Sequence, residues 1–413
     1  MHHKSVGFRA FALCLSLGGS ICWATTGWTA TRSMAETGPI LTIFDCYGSY
    51  IKLSAVSGAK VADGFYGGYA NVQHRIDGCL IGDVLDEGKS GLFALIQQSP
   101  RTDENGAVDF IVATLDVKTL KTLHSYLIPS KQSGLPSLLY DSARQALLVI
   151  SDDGRSLQRL EIKGSGDLIP LGPASTFEEP IATSQKPYID DQGNIVAGDR
   201  LLNEQGRLIR KINSDSILNA ELQKKFSALT SIKGSNQHHN STMEIASAGN
   251  RMVFTVGWDA EGDPVAAAGV MVFDLLAGRV VTSFFSMFPV LSGIYPPSLY
   301  LTPDGKKIIL EQYTWAPSYA SPRKGEELRQ SPLRTGVIAI YDADTGVLSG
   351  KISVKALSID QPQSRVVNFS SDNHYLYYFS DQHLYVIDLE SAKVVSALPL
   401  LDRVDPAVVV STQ

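Results

Sequence analysis

One pattern recurs along this chain and narrows what it can fold into. A short β-prone run is followed by a turn rich in Pro, Asp, Ser or Gly, and then by another short β-prone run. The pattern is plainest from Leu299 to Val354, where Leu299–Thr302 leads into Pro303-Asp304-Gly305 and Lys307–Gln312 leads into a long polar insertion. Gly336–Tyr341 then leads into Asp344-Thr345-Gly346, and Val347–Val354 completes the unit. Four short antiparallel strands joined in this way make one blade-sized sheet, which cannot bury its own faces and needs further sheets against it.

The chain supplies them. Pro136-Ser137-Leu138-Leu139 passes through Asp141-Ser142-Ala143 to Ala146–Ile150, just as Pro297-Ser298-Leu299-Tyr300 passes through Pro303-Asp304-Gly305 to Lys307–Leu310. Similar openings are Tyr188–Asp191 with Gly193–Val196, Met243–Ala248 with Met252–Val256, and Val366–Ser370 with Tyr375–Phe379. Endings recur too, with Asp116 before a turn and Thr122–Ile128 as Asp342 stands before a turn and Val347–Val354. Units begin near residues 93, 138, 188, 243, 299 and 366, roughly 45–67 residues apart, which is at or somewhat above blade spacing. An ill-defined first unit spans Ile40–Asp45, Tyr50–Leu53 and Gly64–Tyr69. The expected fold is all-β, a seven-bladed β-propeller of four-stranded antiparallel blades, with six or eight blades still open. Ser216–Leu229 is the one stretch of helical character, a connector between units. Ala407–Ser411 follows a complete unit without a local partner, so it should pair with N-terminal strands and close the ring, which removes an exposed sheet edge.

At 44% hydrophobic and 19% charged residues the chain can build a large core and is too apolar for disorder. Its net charge of −6 with no basic stripe excludes the electrostatic footprint of a nucleic-acid binder. Lys4 and Arg9 precede the apolar run Phe11–Cys22, the pattern of a secretory signal over residues 1–30, followed by a single propeller domain over residues 31–413. That run is about half the ~20 residues of a membrane span. The expected location is periplasmic or secreted, with no membrane span after signal removal. Beyond the signal only Cys46 and Cys79 remain. Two readings stand for them, a disulfide formed in an oxidising compartment and two thiols that never meet.

Taken together, the secretory signal, the Asp-Gly-Lys-Lys opening at Asp304–Lys307, the Tyr-Asp-Ala-Asp-Thr-Gly ending at Tyr341–Gly346 and the enlarged middle loops resemble the YVTN-type seven-bladed propellers. Within those, the chain looks most like the heavy (β) subunit of quinoprotein amine dehydrogenases. The resemblance implies a scaffold with no cofactor in this chain. The quinone would belong to a separate small cysteine-rich catalytic subunit, which this chain with four cysteines cannot be.

Catalytic signatures are missing from the sequence: no Gly-x-Ser-x-Gly, His-Glu-x-x-His, Cys-x-x-Cys or phosphate-cradling glycine loop occurs. Asp152-Asp153 and Asp190-Asp191 sit where turns favour Asp. Asn240-Ser241-Thr242 and Asn368-Phe369-Ser370 match a glycosylation acceptor, relevant only in a eukaryotic host. His238-His239 offers two adjacent imidazoles where a structural metal site needs about four ligands, so no metal is expected. Placement in the blades gives the pair a location. His238-His239 falls between the fourth strand of one unit and the first of the next, on the face that also carries the enlarged connections Gln98–Gly106, Gly257–Ala266 and Tyr313–Leu333. His238, His239, Trp258, Asp259, Tyr313, Trp315 and Tyr319 are therefore the candidate partner- or ligand-binding residues, with no catalytic residue assigned. Three functions stay open: a binding scaffold with a protein partner; an enzyme acting in the channel, either a quinone-dependent amine dehydrogenase or a lactonase-like hydrolase; or an envelope structural protein with packing contacts alone.

Overall fold

The computed structural model describes residues 39–45, 49–65, 81–83, 92–102, 108–116, 119–129, 136–141, 144–181, 187–190, 192–212, 237–260, 265–289, 298–317, 330–354, 365–370, 372–380, 382–400 and 406–412. The signal segment, Cys46, Cys79, the helical stretch 216–229 and Tyr319 lie outside these residues, as does 66–69 of the first unit.

All described regular structure is β. The first sheet holds β1 (Ile40–Asp45), β2 (Ser49–Ser54) and β3 (Lys60–Phe65); the second holds β4 (Ile81–Asp83), β5 (Leu92–Thr102), β6 (Val108–Asp116) and β7 (Thr122–Ile128). The third holds β8 (Ser137–Asp141), β9 (Ala146–Ile150), β10 (Ser156–Ile162), β11 (Leu168–Pro170) and β12 (Ser175–Thr176). The fourth comprises β13 (Tyr188–Ile189), β14 (Ile195–Ala197), β15 (Arg200–Leu202) and β16 (Leu208–Lys211). The fifth comprises β17 (Gln237–Ala248), β18 (Arg251–Ala260), β19 (Val265–Asp274) and β20 (Arg279–Pro289). The sixth contains β21 (Ser298–Leu301), β22 (Lys307–Pro317), β23 (Gln330–Asp342) and β24 (Leu348–Ser353). The seventh contains β25 (Arg365–Phe369), β26 (Tyr375–Ser380), β27 (His383–Asp388) and β28 (Lys393–Pro399), and β29 (Pro406–Thr412) returns to the first.

Six of these sheets are four-stranded antiparallel blades of a β-propeller, and the third sheet has five strands. In the latter the outer row is split, because β11 pairs Leu160–Ile162 of β10 while β12 pairs Ser156–Leu157.

Local turn chemistry builds each blade. At Thr302–Lys307 the Thr302 hydroxyl donates to Asp304 (2.7 Å), whose carboxylate also accepts the Lys306 N–H (3.1 Å). Lys307 N–H in turn donates to Thr302 Oγ1 (2.9 Å). Gly305 sits there at φ +70°, and a side chain would bring its Cβ to 2.8 Å of the Ala248 carbonyl oxygen. Ser151-Asp153 and Ser370-Asp372 make the same closure. The second turn type places an Asp carboxylate on the N–H three residues later: Asp116 on Thr119 (2.7 Å), Asp274 on Ala277 (2.8 Å), Asp342 on Thr345 (2.8 Å) and Asp388 on Ser391 (2.6 Å). The next residue is left-handed, as Leu120, Gly278, Gly346 and Ala392 respectively. The paired aspartates are turn residues as well, with Asp153 accepting from Arg155 N–H and Asp190 from the N–H groups of Gln192 and Asn194.

Both faces of a blade are covered by its neighbours, so inner strands read as unbroken apolar runs such as Ala146–Ile150. Along β22, Ile308 and Leu310 pack with Val253 and Val272 of the fifth sheet, while Ile309 packs with Leu376 and Tyr378 of the seventh. Such clusters join the second sheet to the third and so on through the seventh, and the seventh to the first; β29 touches β4 to complete the circuit. The expected closure is present: β29 pairs antiparallel with β1, Val409 opposite Ile43 and Val410 opposite Thr42. Asn368 of β25 fastens it from the seventh sheet. Its Nδ2 donates to the Val409 carbonyl oxygen (2.7 Å) and its Oδ1 accepts the Val409 N–H (3.0 Å). That amide is therefore engaged in structure, which gives this acceptor-like sequence a packing role.

Candidate functional face

Three sheets have long ladders between their second and third strands. β5 and β6 stay paired out to Thr102 opposite Val108, β18 and β19 out to Trp258 opposite Ala267, and β22 and β23 out to Pro317 opposite Gln330. This corrects the loop reading of Gln98–Gly106, Gly257–Ala266 and Tyr313–Leu333 where the residues are described: 98–102, 257–260, 265–266, 313–317 and 330–333 are strand. His238 and His239 likewise lie in β17 rather than in a connection. The physical reason is that a hairpin can be held by its ladder hydrogen bonds alone, so polar residues serve and no apolar alternation marks it.

In the fifth sheet His238 is directly opposite Asp259, and His239 directly opposite Trp258. Residues facing each other across an antiparallel pair share a sheet face, with Cβ atoms about 4.5–5.5 Å apart. His238 with Asp259 and His239 with Trp258 are thus successive cross-strand pairs, and the second is continued in register by Ala267 of β19 and Met287 of β20. Four of the candidates are thereby gathered in one sheet. Tyr313 and Trp315 stand on β22 of the neighbouring sheet, opposite Arg334 and Pro332. The pairing of β22 with β23 is irregular between Glu311, opposite Ile338, and Tyr313.

Arg334 and Pro332 are candidates that the sequence reading missed. The signal was there in the alternation Tyr313-Thr314-Trp315 and in a run too polar for a core strand but free of turn residues until Pro317. Glu311 was missed as well. It is fully buried at the foot of this ribbon, where it accepts the Tyr378 hydroxyl (2.6 Å) between the sixth and seventh sheets. A matching buried pair, Ser286 and Tyr341 (2.6 Å between hydroxyls), ties the fifth sheet to the sixth. Burial pushes the Tyr341 phenol up, against the Ser286 hydrogen bond, so it stays neutral. The face therefore rests on blades locked together beneath it. Among the described residues, no three His, Cys, Asp or Glu side chains come together as a metal site, and no helix is long and apolar enough to cross a membrane.

No protein-family model matches the chain, and no curated protein matches it. Solved structures similar to it include a protein from Lactobacillus plantarum (10% identity, TM-score 0.48, 91% of this chain and 100% of that one). The periplasmic gluconolactonase of Pseudomonas aeruginosa is similar at 11% identity and TM-score 0.46, over 91% and 99%. AztD of Citrobacter koseri is similar at 13% identity and TM-score 0.43, over 91% and 98%. Likeness this distant carries no argument about activity.

Proposed function

We propose that this chain is an exported propeller that binds a protein partner at its extended-hairpin face and has no catalytic centre of its own. The third sheet is counted here as the seventh blade, its split outer row standing in for one strand. One observation carries the reading: the register sets His238 opposite Asp259 and His239 opposite Trp258 where β17 and β18 of the fifth sheet meet at their far ends, while Tyr313 and Trp315 stand on β22 of the neighbouring sixth sheet. Aromatic groups on a rigid scaffold bury much apolar area at little entropic cost, which suits protein recognition. The amine dehydrogenase resemblance fits this role, with a small cysteine-rich subunit as the partner and any quinone residing there. Export rests on Lys4, Arg9 and the apolar run Phe11–Cys22.

A second reading draws on the His238–Asp259 register pair, the arrangement in which a carboxylate orients an imidazole for proton transfer in a channel enzyme of lactonase-like or quinone-dependent type. The experiment separates the two. Purified chain with Trp258→Ala and Trp315→Ala should keep its thermal transition and fail to retain the partner that the parent chain retains from a native extract. Turnover of amines or lactones by the isolated parent chain, abolished by His238→Ala, would establish the enzyme instead.

A further inference from the structure

The outermost row of each sheet is an edge, since among the described residues nothing pairs beyond it. Such edges invite pairing with another chain, and a charge or a proline on the strand is a usual defence. Six of the seven outer rows carry one: Lys60 and Asp63 in β3, Pro170 in β11, Arg210 and Lys211 in β16, Arg279 and Pro289 in β20, Lys351 in β24, and Lys393 and Pro399 in β28. β7 carries neither. Its residues Thr122-Leu123-His124-Ser125-Tyr126-Leu127-Ile128 include no Lys, Arg, Asp, Glu or Pro, and Lys121 and Pro129 bound them on either side.

One edge and one face of β7 are held. β6 pairs it without a break from His124 to Ile128. Toward the third sheet, Tyr126 and Ile128 join a shared core cluster, and His124 Nδ1 accepts the Leu168 N–H (3.2 Å). The opposite face is open: Ser125 and Leu127 alternate with those residues and are exposed, Leu127 at 53%.

We infer that β7 is the surface through which two copies of this chain associate, edge to edge and antiparallel about a two-fold axis. The strand itself selects a second copy. A two-fold axis sets each outward N–H of one copy against an outward C=O of the other, so an edge strand is complementary to its own duplicate. The same operation brings like charges together on a charged strand, as it would for Lys351 in β24 or Arg210-Lys211 in β16, and β7 has none to bring. The unbroken segment His124–Ile128 pairs with itself in full only when Tyr126 lies on the axis. In that register Ser125 is opposite Leu127 of the second copy, and the exposed face of one strand continues into the other. No residue of the partner-binding face is used.

Sedimentation equilibrium of the whole chain tests this. A reversible monomer–dimer equilibrium should appear at about 1–100 μM, as suits a small interface. Leu127→Lys and Ser125→Lys should each raise the dissociation constant at least about tenfold, whereas Val395→Lys, at an equally exposed position (55%) on β28, should change it less than about twofold. Thermal melts of the three variants confirm that the fold is retained. Amides of 124–128 should exchange with deuterium more slowly at dimer concentrations than at monomer concentrations, and those of β28 should not. A chain that stays monomeric throughout this range, a dimer weakened equally by Leu127→Lys and Val395→Lys, or exchange in β7 that ignores concentration overturns the inference.

Discussion

Asn368→Ala tests how the ring is held shut. Its amide makes two hydrogen bonds to the main chain of Val409, one to the carbonyl and one from the N–H, on the side of β29 that faces away from β1. Val409 is fully buried. Alanine would leave both groups without these partners, and each orphaned buried group costs about 1–3 kcal/mol, so a loss of about 2–4 kcal/mol is expected after some relief by water. Urea unfolding followed by tryptophan fluorescence reads it as a lower midpoint at unchanged slope. Asn368→Asp provides a signature that plain packing loss would not. At neutral pH its second oxygen would face the Val409 carbonyl oxygen, and lowering the pH would restore a donor by protonating the carboxyl, narrowing the gap to the parent chain. A cost under about 0.5 kcal/mol for Asn368→Ala, the level of an ordinary surface change, would refute the idea that this amide fastens the closure.

Deleting Pro406–Gln413 should abolish the cooperative transition seen by circular dichroism, because it removes the innermost strand of the first sheet and not a frayed end. Ala392→Gly should stabilise by roughly 0.5–1 kcal/mol in the same urea assay, since Ala392 holds φ +52° where Gly346 sits in the equivalent turn. The Thr345 hydroxyl holds the Asp342 carboxyl below the ordinary carboxylate range, and the Ser391 N–H does the same for Asp388. A depressed folded-state value adds stability above the unfolded value near ~4 and loses it as pH falls through the folded one. Asp342→Asn should therefore be less stable than the parent at pH 7, with the two midpoints converging as pH falls through the lowered folded-state value. Intact mass of the exported protein should show removal of the N-terminus before Glu36; an intact Met1 would overturn the signal assignment.

What could be read without coordinates was whatever is decided within a few residues. The Asp342–Gly346 and Thr302–Lys307 turns close on themselves, so their residues announce them, and the continuous runs Ala146–Ile150 and Tyr375–Phe379 announce strands covered on both faces. β29 was legible because a strongly β-prone segment with no neighbour must find a distant one. The remainder depends on pairing at a distance. β4 has three residues, too few for any periodicity, and the break between β11 and β12 is set by what β10 can accept. His238 and His239 looked like a connection because His-His-Asn-Ser-Thr is polar, although the register makes them ladder residues opposite Asp259 and Trp258. Arg334 and Pro332 came into view only once Tyr313 and Trp315 had partners across the hairpin.

The way β1 and β29 meet also determines how the molecule would respond to mechanical load. Ile40 is opposite Thr412, so the two strand ends nearest the chain termini lie at the same end of the pair. A pull applied at those ends opens the ladder one bond at a time, from Thr412 towards Pro406, and does not shear all its bonds together. The Asn368 grip on Val409 would be met midway, after the pairs of Thr412, Ser411 and Val410 have opened. Tension between the termini would meet a zipper of low resistance, while the blades behind it, each a complete hairpin-linked sheet, would keep their fold.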